Sequence, residues 1–243
     1  MRTYWNEGTV LYDNQAVFSL FSDRFKGMIV CADDPSCTSK SKFPASLQNY
    51  LYSSRSVWVD SMFRHDGGVG TGLSVSFAPQ PKATRDFYTP LFDDVDCKVD
   101  PMIRVAMFRL SETRAPQLVR AVKRLKSRGC DVKIVISNGG GMPTITPKTA
   151  KELYKANIPV TCSAVRLHTK TVIIGSAANN YGRVLFGTAN LSTSGLRYSD
   201  EHVITMDTRS ADSDHLGDAR RLYAEFLAGW YEMSKGATKC PTK

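Results

Sequence analysis

Residues 102–137, MIRVAMFRLSETRAPQLVRAVKRLKSRGCDVKIVIS, decide the fold class of this chain. The stretch opens with an apolar segment at 102–108 and closes with another at 132–137, and both are typical of strands. Between them, residues 116–126 place apolar side chains on one helical face before a glycine stop: Leu118, Val119, Val122, Leu125 and Gly129. This βαβ pattern predicts a parallel strand pair with a helix packed on the sheet.

The flanking sequence continues the alternation of strands and helices. Further strands are predicted at 73–78, 158–162, 170–174, 183–187 and 202–206. Further helices are predicted from apolar residues at helical spacing at 16–28, 148–156 and 218–233. We therefore expect an α/β fold with a mixed, mostly parallel β-sheet flanked by helices on both faces.

Composition and charge exclude several classes of protein. Of the 243 residues, 42% are hydrophobic and 23% are charged, which supports a packed core and excludes a disordered chain. The 17 glycines and 11 prolines follow no repeat period, which excludes a collagen-like chain. Apolar runs such as 134–136 and 172–174 are too short to cross a bilayer. The net charge of +9 favours anionic partners, namely phosphodiesters, nucleic acid or acidic lipid surfaces.

Six cysteines leave fifteen pairings open: Cys31, Cys37, Cys97, Cys130, Cys162 and Cys240. Cys31 and Cys37 flank a turn-rich segment that can close a small disulfide loop. We expect disulfides in preference to free buried thiols, and disulfides indicate a secreted protein. The cysteine spacing fits no zinc site, so no structural metal is expected. The first residues do not form a signal peptide, so we expect a mature product or a fragment.

The residues that can carry chemistry begin at His168. His168 and Lys170 are two apart in a predicted strand, so their side chains leave the same face. A hairpin returns the chain along 183–187 and brings its end, Gly187-Thr188-Ala189-Asn190, beside His168. The small residues Gly187 and Thr188 let backbone amides approach an anion, so this segment is the predicted substrate-binding loop.

These residues fit the needs of phosphodiester chemistry. Cleavage without a metal requires an imidazole, a fixed positive charge and neutral donors, which His168, Lys170 and Asn190 supply. A carboxylate on the second ring nitrogen fixes the tautomer of the imidazole. Glu201 is the candidate for this role in preference to Asp200, because a strand points the two side chains to opposite faces.

The pattern resembles the phospholipase D superfamily, which is defined by an H-x-K-x4-D motif followed by G-S-x-N. The resemblance covers most of residues 97–234 and is greatest to secreted bacterial members, especially actinobacterial ones. Three segments carry it besides the motif itself: Met107-Phe108, 125–136 and 187–201. The chain departs from the pattern at Gly175, where the family has its aspartate, and at Thr188, where serine is usual.

The resemblance implies a phospholipase D-like lobe that cleaves phosphodiesters without a metal or other cofactor. One histidine attacks phosphorus to give a phosphohistidine, the other protonates the leaving alcohol, and water or another alcohol then releases the phosphoryl group. Acid/base work is the role expected of His168. Because the chain holds one H-x-K motif, a second lobe or chain with the other motif, or a homodimer, is the expected partner. The expected substrate is a phospholipid, with peripheral membrane contact.

The resemblance also predicts how the chain is divided. Residues 1–30 resemble the closing segment of a preceding lobe, 31–66 a linker or loop region, 67–236 the catalytic lobe and 237–243 a tail. Two alternative functions stay open. The first is a homodimeric nuclease of the same superfamily, and the second is a basic lobe that binds anionic surfaces without catalysis.

Three other features have plainer interpretations. His65 is expected in a loop. The segment 137–141 is glycine-rich, but no Lys-Ser/Thr follows, so a flexible loop beside the site is expected in place of a phosphate-binding loop. The basic residues of the 116–126 helix and its end are expected to form a solvated face: Arg120, Lys123, Arg124, Lys126 and Arg128.

Overall fold

One β-sheet forms the centre of the described part of the chain. The structure is a computed structural model, and it describes residues 21–22, 65–66, 70–77, 88–110, 115–137, 144–164, 166–192 and 201–242. Its strands are β1 His65–Asp66, β2 Thr71–Phe77, β3 Met102–Met107, β4 Asp131–Ile136, β5 Val160–Cys162, β6 Lys170–Ser176, β7 Tyr181–Gly187, β8 His202–Ala211 and β9 Thr238–Lys239. Its helices are α1 Thr89–Asp93, α2 Ala115–Ser127, α3 Pro147–Lys155 and α4 Leu216–Ser234. The strands lie in the order β1-β2-β8-β7-β6-β3-β4-β5-β9.

Some predictions fall outside the described residues. Of the helix expected at 16–28, Phe21 and Ser22 are described, and both are helical. Cys31 and Cys37 lie outside, as do the linker up to residue 64 and the glycine-rich loop after Ser137. The expectation of a loop at His65 is wrong, because His65 lies in the short strand β1, opposite Val75 of the next strand along the chain, β2.

The predicted βαβ unit is confirmed, because β3 and β4 are parallel neighbours from Met102↔Asp131 to Met107↔Ile136 and α2 connects them. The α/β class with a mixed sheet is confirmed as well. The expected excess of parallel pairing is wrong, since β3–β4 and β4–β5 are the two parallel pairs among eight in the described sheet. The hairpin through the turn at 177–180 makes β6 and β7 antiparallel, as a hairpin must be, and the other five antiparallel pairs come from β6 against β3 and from the pairings of β1, β2, β8 and β9.

Helices cover both faces of the sheet, as predicted. The first face packs Ile103 and Val105 of β3 against α1, α2 and α3. The second face packs Ala106 and neighbouring strands against α4, whose Tyr223 and Trp230 are buried. The Trp230 indole Nε1 donates to the Val105 carbonyl at 3.0 Å, which fixes α4 to the central strand. In the described ranges, every helix lacks the length or the apolar character needed to span a bilayer.

Helix α2 turns its basic side to solvent, as expected. Its apolar residues Leu118, Val122 and Leu125 are buried, whereas Arg120 and Lys123 are exposed. This segregation is the usual pattern of a helix packed on a sheet.

Two disulfides tie the ends of strands together. Cys97 pairs with Cys130, which leads into β4, and Cys162 of β5 pairs with Cys240, which follows β9. The segment after residue 236, expected as a tail, therefore contributes a strand and a disulfide to the sheet.

Candidate active site

The ends of β3 and β4 and the start of β6 meet at one edge of the sheet. The Phe108 amide donates to the Thr169 carbonyl at 2.9 Å, and the Ser137 amide donates to the Met107 carbonyl at 3.1 Å. The Leu167 amide donates to Ser137 Oγ at 3.0 Å. The segment that carries the H-x-K motif is thus held to both central parallel strands before β6 begins.

His168 and Lys170 are in direct contact at this edge. Lys170 Nζ lies 3.0 Å from Nδ1 and 3.2 Å from Nε2 of His168, and it donates to the His168 carbonyl at 2.5 Å. Lys170 is 4% exposed and His168 is half-buried. Because an ammonium group only donates, it can hydrogen-bond only to a ring nitrogen that carries a lone pair, and a neutral imidazole has one such nitrogen. The prediction that the two side chains share a face holds, although His168 lies just before β6.

The loop after β7 lies next to this pair because β7 is the neighbour of β6. A Cβ on Gly187 would stand 2.2 Å from the His202 carbonyl oxygen, so only glycine lets β7 and β8 approach this closely. The Thr188 amide donates to the His202 carbonyl at 2.9 Å, and the His202 amide donates to Thr188 Oγ1 at 3.0 Å. With Oγ1 accepting this bond, the Thr188 hydroxyl can donate its own proton elsewhere.

Asn190 is fixed to the segment that follows β3. Its Oδ1 accepts from the Arg109 amide at 3.2 Å, which leaves the side-chain NH₂ as the donor toward a ligand. Beside it, the Tyr88 hydroxyl donates to the Ala189 carbonyl at 2.5 Å. Phe108, which contacts His168, directly precedes Arg109, so the structure brings the Asn190 loop to the same edge as the motif.

Glu201 directly precedes β8, next to the pairing of Thr188 with His202. By strand alternation it points to the face of Val203, which is the face that α1, α2 and α3 cover. Lys170 points to this same face, because it precedes Val172 by two residues. The role of Glu201 in orienting His168 stays a prediction, and Asp200 lies outside the described residues.

His202 points to the opposite face, where its ring packs edge-on against Phe21 with 4.9 Å between ring centroids. Burial lowers the pKa of His202, which favours the neutral ring.

Sequence reasoning missed two residues beside the motif. The Phe108 ring lies 4.8 Å from the His168 ring, at 60°, and 5.6 Å from Lys170 Nζ. The Arg166 guanidinium carbon lies 6.0 Å from the same Phe108 ring. Phe108 could have been found as the first aromatic residue after a buried parallel strand, because side chains at such strand ends commonly line sites.

The surroundings of Gly175 leave no space for the aspartate that the phospholipase D pattern has at this position. A Cβ at Gly175 would lie 2.2 Å from the Tyr181 carbonyl oxygen and 2.7 Å from Gly182 Cα. It would also lie 2.8 Å from the Tyr223 hydroxyl. The space of the missing side chain is thus filled by the neighbouring strand and by α4.

The described ranges contain no group of three or more His, Cys, Asp and Glu side chains arranged to hold a metal ion.

Residues 100–223, which are 124 of the 243, match the family described as "Cardiolipin synthase, PLD-like domain". Nuc, a phospholipase D family member from Salmonella typhimurium, has a similar fold, with a TM-score of 0.52 and 20% identity over 70% of this chain and 97% of that one. NucT from Helicobacter pylori has a TM-score of 0.49 and 19% identity over 69% of this chain and 99% of that one. No curated protein is significantly similar in sequence. The chain therefore belongs to the family "Cardiolipin synthase, PLD-like domain".

Proposed function

We propose that this chain is a phosphodiesterase of the phospholipase D type that supplies one half of a two-motif active site. The observation that carries the proposal is the buried ammonium of Lys170 held against the His168 ring. A cation with low exposure beside a nucleophilic or acid/base imidazole suits the charge that develops on a phosphoryl group. The Thr188 hydroxyl and Asn190 amide add neutral donors at the same edge.

The proposed reaction has two displacement steps. The histidine of one half attacks phosphorus, so that a P–N bond forms as the P–O bond to the leaving alcohol breaks. His168 acts as the acid and gives its proton to the leaving oxygen, while Lys170 binds a non-bridging oxygen. Water or an alcohol then attacks phosphorus, breaks the P–N bond and returns its proton to His168.

The second H-x-K motif comes, in this proposal, from another lobe or from a second copy of the chain. The other histidines, at positions 65, 202 and 215, are not followed two residues later by lysine, so the 243 residues contain one such motif. This single edge binds the phosphodiester from one side, and in-line displacement needs groups on both sides of phosphorus.

Replacing the motif residues tests the proposal. His168→Asn and Lys170→Met should each lower kcat/KM for bis(p-nitrophenyl) phosphate at least about a hundredfold, because they remove an acid/base group and a charge that stabilises the transition state. His215→Asn is the matched control, because His215 is exposed and follows the opposite end of β8.

Activity should persist in EDTA. A phosphohistidine intermediate should be trapped during turnover, and the reaction should be stopped without acid, because acid cleaves the P–N bond. Full activity of His168→Asn, or complete loss of activity in EDTA, would contradict the proposal. Monomer–dimer analysis of the active species by light scattering identifies whether a second copy supplies the other motif.

We take a phospholipid as the substrate and an exported protein as its setting. The two disulfides of the described residues support export, because such bonds persist in oxidising compartments. The net charge of +9 suits an anionic membrane surface. Hydrolysis of phosphatidylglycerol vesicles in preference to single-stranded DNA is the expected result.

A homodimeric nuclease is the second candidate, and one observation favours it. This chain covers 97% of the Salmonella protein Nuc, so the two share a single lobe of this size. Cleavage of DNA by a symmetric dimer, with lipid vesicles untouched, would select this candidate. The binding lobe is the third candidate. It would be selected if the wild-type chain cleaves no phosphodiester and the double variant His168→Ala with Lys170→Ala still binds anionic surfaces as the wild type does.

A further inference from the structure

Three cationic or ionisable side chains border one aromatic ring at the candidate site. The His168 ring lies 4.8 Å from the Phe108 ring centroid, Lys170 Nζ lies 5.6 Å away and the Arg166 guanidinium carbon 6.0 Å away. Cations at these distances are attracted to the face of an aromatic ring. The Phe108 ring therefore favours a position of Arg166 beside the motif, even though Arg166 lies outside it.

The solvent exposure of these three side chains decreases from Arg166 through His168 to Lys170. Arg166 is exposed, His168 is half-buried and Lys170 is 4% exposed. Leu167, between the first two, is buried and held by Ser137 Oγ, so its neighbours in the chain point the other way. Arg166 thus lies on the solvent side of His168, and both side chains contact the Phe108 ring.

A single phosphodiester does not need this arginine. It carries one negative charge, which the Lys170 ammonium already meets in the proposed reaction. Arginine is always charged, and its planar fork matches the oxygens of a phosphate. An exposed guanidinium that borders the same aromatic ring as the acid/base group is close enough to that group to meet a second phosphate joined to the first by a short linker.

We propose that Arg166 binds a second phosphate of the substrate, joined to the scissile phosphodiester through a short polyol such as glycerol or a pentose. The proposal rests on the proposed function, because it takes the scissile phosphodiester to lie at His168 and Lys170. Phe108 acts as a positioning residue for the guanidinium. The substrate class is therefore a bis-phosphate, and its source is a polyglycerophosphate head group or a nucleotide chain.

Calorimetry with the full chain at low salt tests this proposal with two matched pairs of probes. The lipid pair is glycerophosphoglycerol and bis(glycerophospho)glycerol. The nucleotide pair is thymidine 5′-(p-nitrophenyl phosphate) and the same compound with a 3′-phosphate. In at least one pair, the two-phosphate probe should bind about tenfold tighter or more, as expected for one charge-assisted contact. The pair that shows this advantage identifies the source.

Arg166→Gln should abolish the advantage and leave the affinity for the single-phosphate probe unchanged. Arg128→Gln is the matched control, since Arg128 is exposed and precedes β4 at the opposite end of the sheet. An Arg166→Gln variant that keeps the advantage, or a wild-type chain that shows none, would overturn the proposal.

Two further outcomes separate this proposal from the proposed function. Loss of bis(p-nitrophenyl) phosphate cleavage in Arg166→Gln would overturn it, because Arg166 would then act on the scissile phosphate. An Arg166-dependent binding advantage in a chain that cleaves no phosphodiester would support it and contradict the proposed function.

Discussion

Replacing Gly175 with aspartate, the residue of the superfamily pattern, should destabilise this protein. The added Cβ would meet two backbone atoms of β7 at 2.2 and 2.7 Å, and rotation of a side chain cannot relieve such contacts. Overpacking of this kind costs about 1–3 kcal/mol, and burial of a carboxylate without a built partner adds several more. We expect Gly175→Ala to lose about 2 kcal/mol and Gly175→Asp about 4 kcal/mol or more, out of a total of about 5–15 kcal/mol.

Urea unfolding of the oxidised protein, followed by tryptophan fluorescence, to which the buried Trp230 contributes, measures these losses. Gly229→Ala in α4 is the matched control, because a Cβ there meets nothing within 4 Å. It should gain about 0.5–1 kcal/mol, as alanine favours a helix interior over glycine. A Gly175→Asp variant with the urea midpoint and slope of the wild type would refute the reasoning, since the space at β6 would then be available.

Three other changes have definite expected outcomes. Cys162→Ala with Cys240→Ala should lower the free energy of unfolding by about 4 kcal/mol, because the disulfide spans 78 residues; an unchanged urea midpoint would speak against this. Tyr88→Phe should cost about 1–2 kcal/mol, because the buried Ala189 carbonyl loses its donor, and unfolding curves check it. Burial lowers the pKa of His202, so the folded state binds fewer protons than the unfolded state. Stability should therefore fall as the pH drops below about 6.5, and His202→Gln should show a smaller fall across the same pH series.

Local pattern predicted the elements well where periodicity was strong. Helix α2 was expected at 116–126 and spans Ala115–Ser127, because its apolar stripe and glycine stop are local signals. Strand β8 was expected to end at 206 and runs to Ala211. Its second half holds polar residues, and pairing with distant strands sets its length.

The candidate site was predictable only in part for the same reason. His168 and Lys170 lie two residues apart, so strand geometry alone brings them together, and the Gly187–Asn190 loop follows from one hairpin. Arg166 and Tyr88, in contrast, could not be identified from the local sequence. Tyr88 reaches Ala189 across 101 residues, and Arg166 is recognised only through its approach to the Phe108 ring. Such contacts depend on tertiary packing, which spacing in the sequence does not encode.

Strand β9 has a consequence for how copies of this chain associate. It consists of two exposed residues, Thr238 and Lys239, and it occupies the outer edge of β5. The Cys162–Cys240 bond holds it there. A short edge that carries a lysine resists strand-to-strand aggregation, whereas a bare β5 would invite it. Reduction of the Cys162–Cys240 bond removes this covalent attachment of β9, so we expect the chain to aggregate more readily under reducing conditions.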